Sequence, residues 1–423
     1  MQTSTPLNNL KLTINTAFFI ALKSIQRGSF TVKLVTVFIL LLTFLNLIVV
    51  GGLLVGITED VGIKVRDSHA GDIFIEPAKE YDYIQNANEI FSVLNGIPNT
   101  RYSPRLTAGV SIEYEYKNVV TGRNSARAST VIVGIDPSLE AQVTNINKRV
   151  ISGTFLDEGD WNGIVLGSSL VDGYTSSKQG TDKTLGHVVV GEKVRVRFSG
   201  DRLHEFTVVG ILNSKSSTVD QRIFVNQKIL SQLLSSDRYN YSEIAIITDS
   251  NIPLTSTIER LSRIQLGDRN NIKTLDQAIP SAVNDLKKAF GLIGNIVSAT
   301  ALMVGIVTVF VIIFVNASSR RRYIGILKAQ GISAPTLILS YVFQIIFYVS
   351  VGVILGMITL FIFLQPYFEK NPLSLPMADG KLLLASSYVS IRVAILFISS
   401  IISAFIPAWF IIRQNTLDAI LGR

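Results

Sequence analysis

The chain has 423 residues, 48% of them hydrophobic and only 17% charged, with a formal net charge of +8. Soluble domains carry about 25% charged residues, so this composition points to a membrane protein. Cysteine is absent, which excludes disulfides, thiol nucleophiles, iron–sulfur ligation and cysteine-bound zinc.

Taken in chain order, residues 1–31 read as a cytoplasmic amphipathic N-terminal helix. Leu12, Phe18, Phe19, Leu22 and Ile25 share one helical face, with Lys11, Lys23 and Arg27 at its rim, the profile of a helix lying along the inner leaflet. Residues 32–57 form the first transmembrane helix. Crossing the hydrocarbon core takes about 20 apolar residues, and a cleavable signal peptide carries an apolar run of only about 7–15, so this run reads as an uncleaved anchor.

Residues 58–287 are polar and mix strand and helix signals, which predicts a large extracytoplasmic α+β domain of one or two subdomains. Strands are expected at Asp72–Glu76, Val110–Tyr116, Thr130–Ile135, Ile164–Leu166 and Ile244–Thr248. Helices are expected at Tyr83–Leu94, Asn226–Leu234 and Leu254–Ile264. Lys193–Phe198 and Glu205–Leu212 alternate apolar and polar residues around Ser199-Gly200-Asp201, a strong hairpin signal. Thr175–Thr184 reads as a mobile polar loop.

The apolar pattern then returns three times. Residues 288–317 give the second span, 318–335 a cytoplasmic coupling helix and 336–364 the third span. Residues 365–387 give an extracytoplasmic loop, 388–412 the fourth span and 413–423 a cytoplasmic tail. The fold class is therefore membrane α-helical, one span plus three, with a large α+β domain. Gly352 and Gly356 in the third span form a small-xxx-small pair suited to close helix contact.

Charge sets the orientation. Lys11, Lys23, Arg27, Lys33, Arg320, Arg321, Arg322, Lys328, Arg413 and Arg423 lie on one side against a single acid, Asp418, whereas residues 58–287 hold 25 basic and 28 acidic residues. Basic residues flanking spans stay inside. Both termini are thus expected in the cytoplasm and the domain outside it. The basic surplus is a topology signal, which leaves no nucleic-acid surface.

No catalytic, cofactor or metal constellation emerges. His69, His187 and His204 read as surface or strand residues. Asp157, Glu158 and Asp160, beside Gly159 and Gly163, read as a solvated turn. No G-x-x-x-x-G-K-[ST] phosphate loop occurs, so the chain holds no nucleotide by that route. The distinctive segment is Ser319-Arg-Arg-Arg-Tyr-Ile-Gly-Ile-Leu-Lys-Ala-Gln-Gly-Ile-Ser333. Ile324, Leu327 and Ala329 mark a short amphipathic helix stopped by Gly331, and Pro335 opens the third span from a first-turn position.

Arg320 through Ser333 resembles the motif R-x-x-E-I-G-I-L-K-A-L-G-A-S of MacB/FtsX-type (type VII) ABC transporter permeases, which include the lipoprotein-releasing LolC/LolE-like permeases. Tyr323 stands where that family usually has Glu, and Gln330 where Leu is common. Gly134-Ile-Asp136, Val150-Ile-Ser-Gly153 with Phe155, Gly163–Leu170 and Phe206–Ile211 are similar to the family's periplasmic core domain, in its usual order. Pro407–Arg413 and Ala419-Ile-Leu421 resemble its ending, with Thr416 replacing a common Pro.

The resemblance implies a non-catalytic permease that pairs with a second copy or a paralogue and binds separate ABC ATPase subunits. It implies ATPase coupling through Arg320, Arg321, Arg322, Tyr323, Ile324, Leu327, Lys328 and Gly331, with no cofactor. Expected further partners are membrane lipid and a periplasmic adaptor or lipoprotein carrier, in the cell (inner) membrane. The implied function is export or extraction of a hydrophobic or lipidated substrate such as lipoprotein, lipid or drug. The alternative is an FtsX-like transmembrane regulator of a cell-wall hydrolase or sensor partner.

Overall fold

Apolar length decides the architecture. The computed structural model describes residues 6–116, 126–174, 184–235, 240–249, 251–263, 269–279, 281–375 and 378–413. Within them, the helices Phe30–Val65, Ser281–Ser319, Ala334–Thr359 and Ser386–Ile412 are long and apolar enough to span a bilayer. The chain divides into two units. A membrane unit holds Met1–Ile57, Lys287–Leu373 and Gly380–Arg423, and a sheet domain holds Thr58–Leu286 and Ser374–Asp379. The loop expected at Thr175–Thr184 falls, but for Thr184, outside the described residues, as do Thr416 and the tail segment Ala419–Leu421.

Three span helices outrun their apolar sequence: the second begins at Ser281, ahead of the start expected at residue 288, with its polar first turns still helical. The first continues to Val65, past the end of the apolar run at Ile57. The third passes through a π-helical turn, Leu360–Leu364, into a helix over Gln365–Lys370, so residues 365–370 are helix where a loop was expected. Pro366 lies in the first turn of that last helix, where a missing N–H is tolerated, and the π turn shifts the hydrogen-bond register just ahead of it.

The membrane unit packs around the first and third spans. Leu40, Phe44, Leu47 and Ile48, at helical spacing, share one apolar cluster with Leu337, Tyr341, Ile345 and Val349 of the third span and with Leu396, Ala404, Ala408 and Ile411 of the fourth. Gly352 approaches Leu40, and Gly356 approaches Phe44. The N-terminal helix, Pro6–Arg27, buries a narrow stripe, Ala17 and Ala21, and packs against the third span. Leu12, Phe18, Phe19 and Leu22 remain exposed. Ile25, expected on that same face, is instead partly buried and packs against the unit's core, while the small residues Ala17 and Ala21 make the closest approach.

Among the described residues of the sheet domain, ten strands form one mixed sheet. They are β1 (Ile73–Pro77), β2 (Arg101–Tyr114), β3 (Ala126–Ile135), β4 (Val150–Gly153), β5 (Gly163–Gly167), β6 (Lys193–Arg197), β7 (Leu203–Leu212), β8 (Arg222–Asn226), β9 (Glu243–Ile247) and β10 (Asn270–Thr274). The order is β10-β1-β9-β2-β3-β8-β5-β7-β4, with β6 pairing β2 and β7. The predicted hairpin is present: β6 and β7 pair antiparallel from Lys193↔Thr207 to Arg197↔Leu203, closed by Gly200 and Asp201 with positive φ.

One long strand explains why the two suspected subdomains share a sheet. The first residues of β2, Arg101–Arg105, pair with β9, and Leu106–Tyr114 pair with β3. The predicted helix at Tyr83–Leu94 begins only at Ala87, because Ile84 and Gln85 use their N–H groups on Tyr241 and Asn270.

A methyl group on Gly356 would come within 2.3 Å of Phe44 Cδ1, on a ring that is fully buried. Overpacking of this kind costs about 1–3 kcal/mol, so Gly356→Ala should lower the unfolding temperature measured in detergent. Gly291, which has nothing within 4 Å, is the control. Gly291→Ala should be neutral or stabilising by up to about 1 kcal/mol through helix propensity. Equal behaviour of the two variants would refute the packing role of Gly356.

Candidate functional site

Between the second and third spans lies a short helix, Arg321–Ala329, whose two faces differ sharply. Its C-terminus closes on Gly331 at φ +92°. The Gly331 N–H donates to Lys328 O at 3.0 Å, and the Ile332 N–H donates to Leu327 O at 3.1 Å, the paired bonds of a Schellman motif. Leu327 and Ile332 both pack against the membrane unit's apolar cluster, the hydrophobic contact that accompanies this cap.

Of the residues expected to face an ATPase, Arg322 and Tyr323 are exposed, Tyr323 by 56%. Ile324 is not. It is only 4% exposed and belongs to the core cluster of the spans, which corrects its expected place on a partner-facing surface. Leu327 is half-buried beside that cluster. Arg320 donates from Nη1 to Ser24 Oγ of the N-terminal helix at 2.6 Å, and Lys328 Nζ donates to Ile412 O at the end of the fourth span at 3.0 Å. Arg321 is partly buried, with its Nε lacking an acceptor among the described residues.

The exposed stripe therefore runs Arg322, Tyr323, Ile326, Ala329, Gln330, and Ile326, 43% exposed, is the member that sequence reasoning missed. Its spacing from Arg322 and Tyr323 was a usable signal, since residues three and four apart share a helix face. The short helix has two apolar edges, 324/327 and 323/326, and composition alone does not say which one turns inward.

A second cluster lies inside the sheet domain. Arg105 on β2 donates from Nε to Glu140 Oε2 at 2.9 Å and from Nη2 to Glu140 Oε1 at 2.7 Å. Ser103 Oγ donates to Glu140 at 2.7 Å, as does Thr144 Oγ1 at 2.5 Å. Glu140 sits on a helix over Pro137–Val143 that starts at Asp136, whose Oδ1 accepts the N–H groups of Ser138 and Leu139. Glu243 on β9 takes Arg222 Nη1 at 2.9 Å and faces Arg105 Nη1 at 3.6 Å. Burial raises the Glu243 carboxyl, but Arg222 and Arg105 outweigh it and hold the group below the usual carboxylate range.

His69, in a π-helical turn over Arg66–Ala70, completes this cluster, with Nδ1 3.4 Å from Arg105 Nη1. Burial drives its pKa down to about 3, reinforced by Arg222 and Arg105 and opposed by Glu243. The Glu140 oxygens are fully engaged by four donors, so this cluster braces the domain and is a poor fit to acid–base chemistry. His204 lies on β7, half-buried near Asn162. Asp160 accepts the Asp157 N–H at 2.9 Å in a turn. Among the described residues no group of three or more His, Asp or Glu side chains is placed to hold a metal.

Residues 34–264 match the family described as MacB-like periplasmic core domain, and residues 295–416 match FtsX-like permease C-terminal. Among solved structures, the periplasmic region of MacB from Actinobacillus actinomycetemcomitans is similar at 13% identity and TM-score 0.32, covering 50% of this chain and 92% of that one. No curated protein matches.

The neutral, buried His69 makes stability depend on acid. Its pKa is near the ordinary value of 6.5 when the chain is unfolded and about 3 when it is folded, so below pH 6.5 the unfolded chain binds a proton that the folded one refuses. Stability should then fall by about 1.4 kcal/mol per pH unit within that window. Unfolding of the full-length protein in detergent, followed from pH 7.5 to 5, should be visibly steeper in pH than for His69→Gln. Parallel profiles would show that His69 carries no such linkage.

Proposed function

Since the chain belongs to the MacB/FtsX-type permeases, membrane components of ABC transporters that work with ABC ATPases, we propose that it is the subunit that carries ATPase-driven movement across the membrane. The observation that supports this most directly is the two-faced helix Arg321–Ala329. Ile324 and Gly325 bury one face against the spans while Arg322, Tyr323, Ile326 and Gln330 present the other.

A partner pressing on the exposed face moves the buried one. The Lys328–Ile412 bond and the Arg320–Ser24 bond extend that push to the fourth span and the N-terminal helix. The basic residues around this helix and near the chain's ends favour a cytoplasmic location for it and for both termini, with the sheet domain outside the cytoplasm. Two permease copies, or a copy and a paralogue, would share a pair of ATPases in the cell membrane.

The substrate is a hydrophobic or lipidated molecule, such as lipoprotein, lipid or drug, handed to an adaptor or carrier by a domain of about 230 residues. A purely regulatory role in switching a hydrolase needs no domain so large.

Charge reversal on the exposed face should separate docking from folding. Arg322→Glu with Ile326→Asp, which puts two acids in place of a cation and an apolar contact, should cut co-purification of the ABC ATPase at least about tenfold, about 1.4 kcal/mol and the scale of one hot-spot loss, with an unchanged unfolding temperature. Ile324→Asp should instead lower that temperature, because it buries an unpaired carboxylate. Undiminished ATPase recovery with the double variant would end the docking reading.

A further inference from the structure

Four charged side chains meet in the sheet domain outside any site described so far. Lys64, on the last turn of the helix Phe30–Val65, is only 4% exposed and lies 2.7 Å from both Asp60 and Asp379. Asp379 also receives Lys215 Nζ, and its own N–H donates to Asp60 Oδ2 at 2.6 Å. Lys215 Nζ reaches Ser374 Oγ at 3.0 Å as well. The charges alternate as Lys215, Asp379, Lys64, Asp60. Burial works against ionised Asp379, yet Lys215 and Lys64 hold it below the ordinary carboxylate range.

The scaffold for this network is built in advance. Lys215 is a non-glycine residue at φ +59°, a backbone state that is uncommon and clusters at functional positions. It is fixed there by Asn213 Oδ1, which accepts the Lys215 N–H, and by Asp220, which takes both the N–H and the hydroxyl of Ser214. Asp379 belongs to the sheet domain, but the chain from Gly380 onward belongs to the membrane unit and enters the fourth-span helix at Ser386.

We propose that Asp379 is the pin of a conformational clasp. Closed, the clasp holds Asp379 and its neighbour Ala378 against Lys64 and Lys215 within the sheet domain. Open, it frees these two residues while the rest of the sheet domain stays folded. One feature makes opening easy relative to unfolding: Asp379 and Lys215 both reach solvent, and partly exposed ion pairs exchange for water at little net cost.

The members are unequal. Losing Lys64 would leave Asp60 and Asp379 facing each other, joined through a backbone N–H, with no cation between them. Losing Lys215 removes only the solvent-side contact.

The absence of cysteine makes the test direct. Ala378, next to the pin, is 2% exposed, so Ala378→Cys in the full-length permease in detergent reports clasp opening through its labelling rate with a charged maleimide. Ser168→Cys, at a fully buried position elsewhere in the sheet domain, reports global unfolding. Buried groups react at rates set by their local opening equilibrium.

With the network intact, the Ala378→Cys thiol should label at least about tenfold more slowly than free cysteine. Adding Asp379→Asn should speed it about tenfold, Lys64→Met by more and Lys215→Gln by less. The Ser168→Cys thiol should be unchanged under Asp379→Asn and Lys215→Gln. Three outcomes overturn the clasp. The first is an Ala378→Cys thiol as reactive as free cysteine with the network intact, and the second is a rate indifferent to Asp379→Asn. The third is Asp379→Asn unmasking the Ser168→Cys thiol together with the one at Ala378→Cys.

Discussion

Hydrocarbon offers no hydrogen-bond partner to a peptide group, and most of this chain's architecture follows from that constraint. Every N–H and C=O at membrane depth must be satisfied within its own segment, so the apolar runs can only be helices. Where helices must approach, the hydrophobic effect offers no gain over lipid, and close packing has to come from small side chains. Gly352 and Gly356 against Leu40 and Phe44, and Ala17 and Ala21 on the N-terminal helix, are that rule at work. Polar side chains inside the unit obey it too: Thr36, Thr43 and Ser403 each return a hydroxyl to a backbone carbonyl.

The same constraint explains which parts of the fold were legible in the sequence. A span announces itself by length alone, and the β6–β7 hairpin by alternation around a glycine turn. The first half of β2 did not, because Ser103, Pro104, Arg105 and Leu106 are all buried and the period-two pattern vanishes when both faces are covered. β10, with the sequence Asn-Asn-Ile-Lys-Thr, is an edge strand whose polar residues carry little strand signal. The helix Pro137–Val143 had a readable start, Asp136 followed by Pro137, the N-cap and first-turn pairing that marks helix entry.

Buried charge was the least legible feature. Glu140 meets Arg105 from 35 residues away and Lys64 meets Asp379 from 315, distances at which spacing arguments have no purchase. What the two networks share is chemical. A charge removed from water is tolerable only beside its opposite, so each buried guanidinium or ammonium implies a carboxylate from elsewhere in the chain. They differ in completeness. The Arg105–Glu140 pair is enclosed and its acceptors are saturated, which suits a permanent brace. The Lys64–Asp379–Lys215 network is open to water at one end, which suits a contact that forms and breaks.

The short helix after the second span shows how one residue step changes a functional reading. Ile324 and Ile326 are equally apolar and differ only by about 200° around the helix axis, yet one is sealed into the span core and the other stands in solvent. A docking surface made of Ile324 would require the helix to roll away from the spans and break the contacts that link it to them. A surface made of Arg322, Tyr323, Ile326 and Gln330 would leave those contacts in place, which is what the proposed coupling requires. Tyr323 then occupies the exposed, first-turn position where the resembling motif has an acid, and it brings an aromatic ring with a hydroxyl. On the proposed docking, that point would offer apolar contact and neutral hydrogen bonding, with the exposed Arg322 beside it as the charged group.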